Sequence, residues 1–272
     1  MAWLSMNELT TYRWSFEDDV RQYAAAGYEG IGVWREKVAD CGEGNARRLL
    51  AESGLKVSLL SWAGGFTGSD GRTHLEAIED GLDAVRLAAR LQAECLIVHS
   101  GARGGHTRNH VRRLYRDALE QLLAVAEPLG VNIAVEPMHP NCCAEWTFLT
   151  GLDEALELIG HCRSSRLKLA LDTYHLGHDE AVLERLEEVA PHVAVAQLGD
   201  ARCIPGGEPS RCPLGEGSLP LGRFVGTLLS AGFDGFFDIE LVGEEIESAD
   251  YSSLLSRSRQ AFEDYLEAAK AS

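Results

Sequence analysis

Short apolar runs alternate along this chain with longer stretches of helical period. The runs are WLSMNEL, YEGIGVW, LKVSLLS, ECLIVHS, VNIAVE, LKLALD, HVAVAQL and GFFDIEL. Each is apolar on successive positions, as in a strand covered on both faces. The segments between them read as amphipathic helices with recognisable ends. Ser15 caps the first, with Asp18 at the reciprocal box position. Gly54 and Gly130 stand at C-cap positions behind the helices expected from Glu43 to Ser53 and from Arg108 to Leu129. Pro128 sits in the last turn of the latter. Further helices are expected over 72–91, 152–159, 179–189, 221–230 and 250–270. Strand and helix alternate without exception, the mark of βα units around a parallel sheet. Eight such units in 272 residues predict an α/β protein, a closed (β/α)8 TIM barrel forming a single domain over 1–272. An open doubly wound sheet would carry a Gly-rich phosphate loop after its first strand; this chain has TTYRWS there. The segment from Asp200 to Pro220 is long for an idle connection and predicts a lid or a substrate-binding loop.

Four of the later runs close on a polar residue: Glu136, Asp172, Gln197 and Glu240. A buried strand does not tolerate an unpaired carboxylate. In a barrel the C-terminal strand ends open onto one face, with neighbouring strands about 5 Å apart. These four side chains can therefore surround one cation. Three carboxylates and an amide oxygen favour Mn²⁺ or Mg²⁺, with Zn²⁺ or Co²⁺ as alternatives. His99, at the end of the fourth run, and His175, three residues past Asp172, are candidate substrate contacts. Asp200 and Arg202 follow the seventh run, with Arg202 the expected clamp on a substrate oxygen or anion. Glu145 lies on the loop after Glu136 and is a further candidate. Trp14, Trp34 and Trp62 follow the first three runs; Trp14 and Trp62 are candidate apolar walls for a carbohydrate ring.

Charge and composition narrow the partners. Lys and Arg number 25 against 42 Asp and Glu, a formal charge of −17. Such a surface opposes nucleic acid and anionic membrane. No run approaches the roughly 18 apolar residues of a membrane span, and Glu8 interrupts the place where a signal peptide would stay apolar. The seven cysteines are odd in number and irregular in spacing, which points to free thiols and a cytoplasmic location. Cys203 and Cys212 lack further ligands for a structural zinc site. The expected partner is a small polyhydroxy ketone or sugar, and self-association into a homo-oligomer is compatible with this reading.

Through VEPMHP with Glu136, LDTYH with Asp172 and His175, QLGDAR, GEGSLPL, and FFDIE with Glu240, the chain resembles the xylose-isomerase-like barrels. Within them it is most similar to the sugar phosphate isomerase/epimerase group, which includes ketose 3-epimerases, inosose isomerases and dehydratases, and dehydroshikimate dehydratases. The likeness covers nearly the whole chain. It implies that Glu136, Asp172 and Glu240 are metal ligands, that Glu136 and Glu240 form the acid/base pair, and that His175 and Arg202 contact substrate. Gln197 departs from the histidine usual at its position and resembles the dehydroshikimate dehydratase branch. The implied activity is a metal-dependent isomerase or epimerase of a sugar, keto-sugar or cyclic polyol ketone, acting through an enediolate. The alternative is a metal-dependent dehydratase, a lyase, of a 3-dehydroshikimate-like or inosose-like β-hydroxy ketone. A further alternative, an endonuclease IV-like phosphodiesterase, is opposed by the surface charge and by a histidine supply limited to His99, His139 and His175 near the site.

Overall fold

The computed structural model of the protein describes residues 2–271. Its eight strands are β1 (Trp3–Asn7), β2 (Gly30–Trp34), β3 (Lys56–Ala63), β4 (Cys95–Val98), β5 (Asn132–Val135), β6 (Leu167–Asp172), β7 (Val193–Leu198) and β8 (Phe236–Ile239). They close into a barrel in sequence order. Every neighbour pairs in parallel, and β8 closes on β1 from Trp3 opposite Phe236 to Met6 opposite Ile239. The expected (β/α)8 barrel is the observed one.

Alternation along each strand divides the apolar residues into two cores. Leu59, Cys95, Ile97, Ala134, Ala170, Val195 and Phe236 fill the barrel interior. Their neighbours in sequence, such as Leu96, Ile133, Leu171 and Phe237, pack outward in the larger core with the helices. Both faces of each strand are thus dry, which is why the runs read as continuous. Burying one such large apolar side chain contributes roughly 1.5–3 kcal/mol.

The helix ends follow the local signals. The Ser15 hydroxyl accepts from the Asp18 amide at 3.2 Å ahead of the helix Phe16–Ala25. Glu43–Ser53 stops at Gly54, whose φ of +77° is left-handed, and Arg108–Leu129 runs through Pro128 to Gly130. The helix after β3 starts at His74 rather than Arg72, because Thr73 and Glu76 close a capping box there. The stretch expected as one helix over 179–189 divides into Glu180–Leu183 and Leu186–Val189. Short extra helices occur at Arg35–Cys41, Thr173–Leu176 and Glu244–Ser248. Among the described residues no helix is long and apolar enough to cross a membrane, and the seven cysteines are free.

Candidate active site

The strand alternation that fills the barrel with apolar groups also aims the polar ones at its mouth. Two residues beyond the interior positions Ile97, Ala134, Ala170 and Val195 stand His99, Glu136, Asp172 and Gln197. From Phe236, the same steps lead through Asp238 to Glu240. All of these side chains are buried, as is His175 on the turn after β6. His99, Glu136, His175, Gln197 and Glu240 border a cleft of about 340 Å³ that is also lined by Trp62, Trp146 and Tyr174.

Glu136, Asp172 and His175 bring one ligand atom each within 4.8 Å of one another. His175 Nε2 lies 3.6 Å from Glu136 Oε1 and 4.0 Å from Asp172 Oδ2. His99 Nε2 lies 2.8 Å from the other oxygen of Glu136. Glu240 is held from the opposite side. Gln197 Nε2 donates to its Oε2 at 2.5 Å, and Asn7 Nδ2 donates to the same oxygen at 3.2 Å. Between the two halves lies Arg211, buried, with Nη2 at 2.8 Å from Asp172 Oδ2 and 3.0 Å from Glu240 Oε1. Its Nη1 donates to the Glu240 carbonyl at 2.7 Å, and the guanidinium stacks 4.7 Å over the Tyr174 ring. Three buried carboxylates need a counter-charge, and the loop after β7 supplies it.

The environment pushes the two glutamates apart. Burial alone would raise Glu136, but the His99 hydrogen bond, then the charges of His99, His175 and Arg211, hold its carboxyl below the usual range. Burial raises Glu240; Arg211 opposes the rise, while Asp172, Glu136 and Asp238 add to it, and the carboxyl ends at about 8. One layer deeper, burial raises Asp238 to about 6 against hydrogen bonds from Ser5, Asn7 and Ser58. Burial also lowers His175, against the charges of Asp172 and Glu136.

Not every candidate from the sequence reaches this cleft. Arg202 is half exposed on the surface, paired with Glu245 and Glu216 at 2.5 and 2.9 Å, so the expected oxygen clamp is not where Arg202 lies; Arg211 stands in that place. Asp200 is buried but turned into its own loop, where its carboxylate accepts from the amides of Ala201, Gly215, Gly217 and Leu219 at 2.9–3.3 Å. It knots the loop that carries Arg211 instead of facing substrate, and a Cβ at Gly217 would overlap it. Trp14 packs edge-on against Tyr251 at 5.2 Å, away from the cleft. Glu145 is exposed and borders an adjoining groove. Trp62 does line the cleft, edge-on to Trp146 at 5.0 Å. Arg211, Asn7, Tyr174 and Trp146 escaped the sequence reading. The need for a cation beside three carboxylates was the available signal for Arg211.

The donor set fits a divalent cation. Glu136, Asp172 and His175 converge, and the Gln197 Oε1 is buried without a hydrogen-bond partner, an orphan acceptor of the kind that a bound ion satisfies. A Glu/Asp/His cluster differs from the expected all-oxygen shell because Glu240 is engaged by Arg211, Gln197 and Asn7, while His175 turns inward.

Comparison with known proteins agrees with this geometry. A stretch of 143 residues is 26% identical to an inosose isomerase of Bacillus subtilis (strain 168), covering 51% of this chain and 50% of that protein. The match thus spans about half the length of that curated relative. The fold superposes on the IolI protein with a bound zinc atom at a TM-score of 0.83 and 20% identity, over 97% of this chain and 98% of that one. It superposes on an L-ribulose 3-epimerase at a TM-score of 0.82 and 19% identity, over 100% and 96%. The model of the xylose isomerase-like TIM barrel family matches residues 20–267. With eight parallel strands closed in sequence order and its polar cluster at their C-terminal ends, this chain belongs to the xylose isomerase-like TIM barrel family.

Proposed function

We propose that this chain is a divalent-metal-dependent isomerase or epimerase of a neutral sugar, keto-sugar or cyclic polyol ketone, acting through an enediolate. The observation that carries the reading is the pair of glutamates on opposite sides of one cleft, Glu136 beside His99 and His175 and Glu240 beside Gln197 and Asn7, whose surroundings lower the first carboxyl and raise the second. Two carboxyls driven apart in this way divide into a base and an acid. Glu136, Asp172, His175 and the Gln197 amide oxygen would hold the ion, with Glu240 at its edge; Mn²⁺ or Mg²⁺ suits the oxygen donors and Zn²⁺ or Co²⁺ the imidazole. When bound, the ion supplies a Lewis acid that stabilises the enediolate.

The residues of the chain do the rest. Glu136 takes the proton from the carbon beside the carbonyl, and the bonding pair moves into the new C=C bond. Glu240 returns a proton, to the other face of the same carbon for epimerisation, or to the neighbouring carbon for isomerisation, in which the hydroxyl proton also passes to the former carbonyl oxygen as the new C=O forms. His99 orients the Glu136 carboxylate through its 2.8 Å contact. Arg211 balances the charge of Asp172 and Glu240 and presents its free Nε to substrate oxygens. Trp62 and Trp146 exclude water from one side. The cleft supports a neutral substrate: its arginine is already shared between two carboxylates, and Glu247 adds another acid at the rim. A phosphate or the carboxylate of a dehydroshikimate-like molecule would find no free cation among the described cleft residues. Dehydration of a neutral inosose-like β-hydroxy ketone begins with the same step, and Gln197 favours it.

The test is Glu240→Gln against the parent, with metal content measured in parallel, on a panel of keto-sugars and inosose in D₂O. The expected result is one divalent ion per chain, solvent deuterium entering the substrate with the parent, and exchange without epimer or isomer formation in the variant. A metal-loaded Glu240→Gln protein that converts substrate at the parental rate refutes the acid assignment. Growth of enone absorbance moves the reading to the lyase.

A further inference from the structure

Beside the cleft runs a larger groove, about 700 Å³ against about 340 Å³. It runs from the loops after β3 and β4 out between the helices Arg35–Cys41 and His74–Leu91. The two spaces share three residues, Trp62, His99 and Trp146. Trp62 and Trp146 meet edge to face at 5.0 Å, and the His99 ring lies 6.1 and 6.0 Å from them. His99 is the partner of Glu136, so the groove begins beside the reacting carboxylate. Its floor there is backbone. Gly101, at φ +87°, approaches Gly65 so closely that a Cβ would lie 3.0 Å from the Gly65 Cα.

From these observations we infer that the groove is a subsite for a second sugar ring. Among the neutral ketones of that reading, the preferred substrate then carries a second, glycosidically linked ring. This inference rests on the enediolate reading of the cleft. Charged side chains line much of the groove, yet it offers no anion site. Arg35 forks onto Asp80 at 2.7 and 3.1 Å, and Arg72 binds Asp70 at 2.7 Å and Asp80 at 3.1 Å. Each guanidinium is neutralised by a carboxylate, which removes the field a phosphate would need. The pairs still present donors and acceptors side by side, the match for a row of hydroxyls. The Trp rings supply flat apolar surface for the C–H face of the ring. Arg35 Nη1 also donates to the Trp62 carbonyl at 3.0 Å, which ties the polar wall to the aromatic one.

The test uses the full chain carrying its divalent ion. Calorimetry compares D-fructose with two ketose disaccharides, lactulose and isomaltulose. At least one disaccharide is expected to bind about tenfold or more tightly than fructose. Arg35→Met, which keeps the aliphatic stem but loses the fork, removes that gain while fructose affinity stays within about twofold; the fructose value reports that the cleft is folded. Ala39→Trp, on the exposed side of the helix Arg35–Cys41 facing the groove, is the second variant, with the same expected loss. The inference is overturned if neither disaccharide binds more tightly than fructose, if none of the three binds, or if both variants keep the full gain. A protein that carries its ion and exchanges substrate protons but shows no disaccharide gain retains the enediolate reading and loses only the subsite. A protein that retains no divalent ion instead defeats the metal reading on which both depend.

Discussion

Arg211→Met removes the one guanidinium that lies between Asp172 and Glu240. The side chain is 5% exposed and bonds both carboxylates within 3.0 Å. Deleting one partner of a buried ion pair strands the other, at a cost of about 3–5 kcal/mol. At about 2–4 °C per kcal/mol for a chain of this size, the metal-free variant melts roughly 6–20 °C lower. The loss depends on pH with a definite sign. The Glu240 carboxyl is raised from 4.5 to about 8, so the folded state binds the extra proton between these values. Its contribution to stability is present below the lower value and vanishes as pH rises through the upper one. Arg211 opposes that rise; without it Glu240 holds its proton longer and resists ionisation beside Asp172 more strongly. The melting deficit is therefore larger at pH 9 than at pH 6. A divalent cation replaces the missing counter-charge, so Mn²⁺ regains more stability in the variant than in the parent. Scanning calorimetry in chelator at both pH values, then with Mn²⁺, measures all three quantities. A deficit below about 1 kcal/mol at both pH values, or one larger at pH 6, refutes the electrostatic account.

Two further substitutions separate charge from architecture. Asp172→Asn keeps an oxygen to accept from the Tyr174 amide, at 2.7 Å in the parent, but removes the ligand charge; divalent-ion affinity falls by at least about 100-fold with the fold retained, and calorimetry showing unchanged affinity removes Asp172 from the metal shell. Arg202→Ala, in contrast, breaks only exposed pairs with Glu216 and Glu245, so melting temperature is unchanged and turnover stays within about twofold; a large loss of turnover would return Arg202 to the site.

Most of the barrel and part of its site were legible along the chain. Apolar runs covered on both faces, spaced by helices with their own caps, admit few arrangements besides a parallel sheet closed by eight units. Glu136, Asp172, Gln197 and Glu240 were legible because strand alternation is local: a residue two steps beyond an interior apolar position points the same way, into the mouth. His99 follows from the same rule. Arg202 and Arg211 lie in one loop, and nothing local distinguishes them. Asp200 does so through bonds to four backbone amides spread from Ala201 to Leu219, which fold the loop so that Arg211 enters and Arg202 stays outside. Trp14 lies beyond the end of β1 and Trp62 near the C-terminal end of β3; Tyr251 on the last helix draws the first away, while Trp146 from a later loop meets the second. The sequence by itself determined the barrel and the inward direction of its strand-end polar residues, because both rest on periodicity over a few residues. The tertiary structure alone decided which arginine balances those carboxylates, which tryptophans face the cleft and that a groove adjoins it, because each depends on segments brought together from distant parts of the chain.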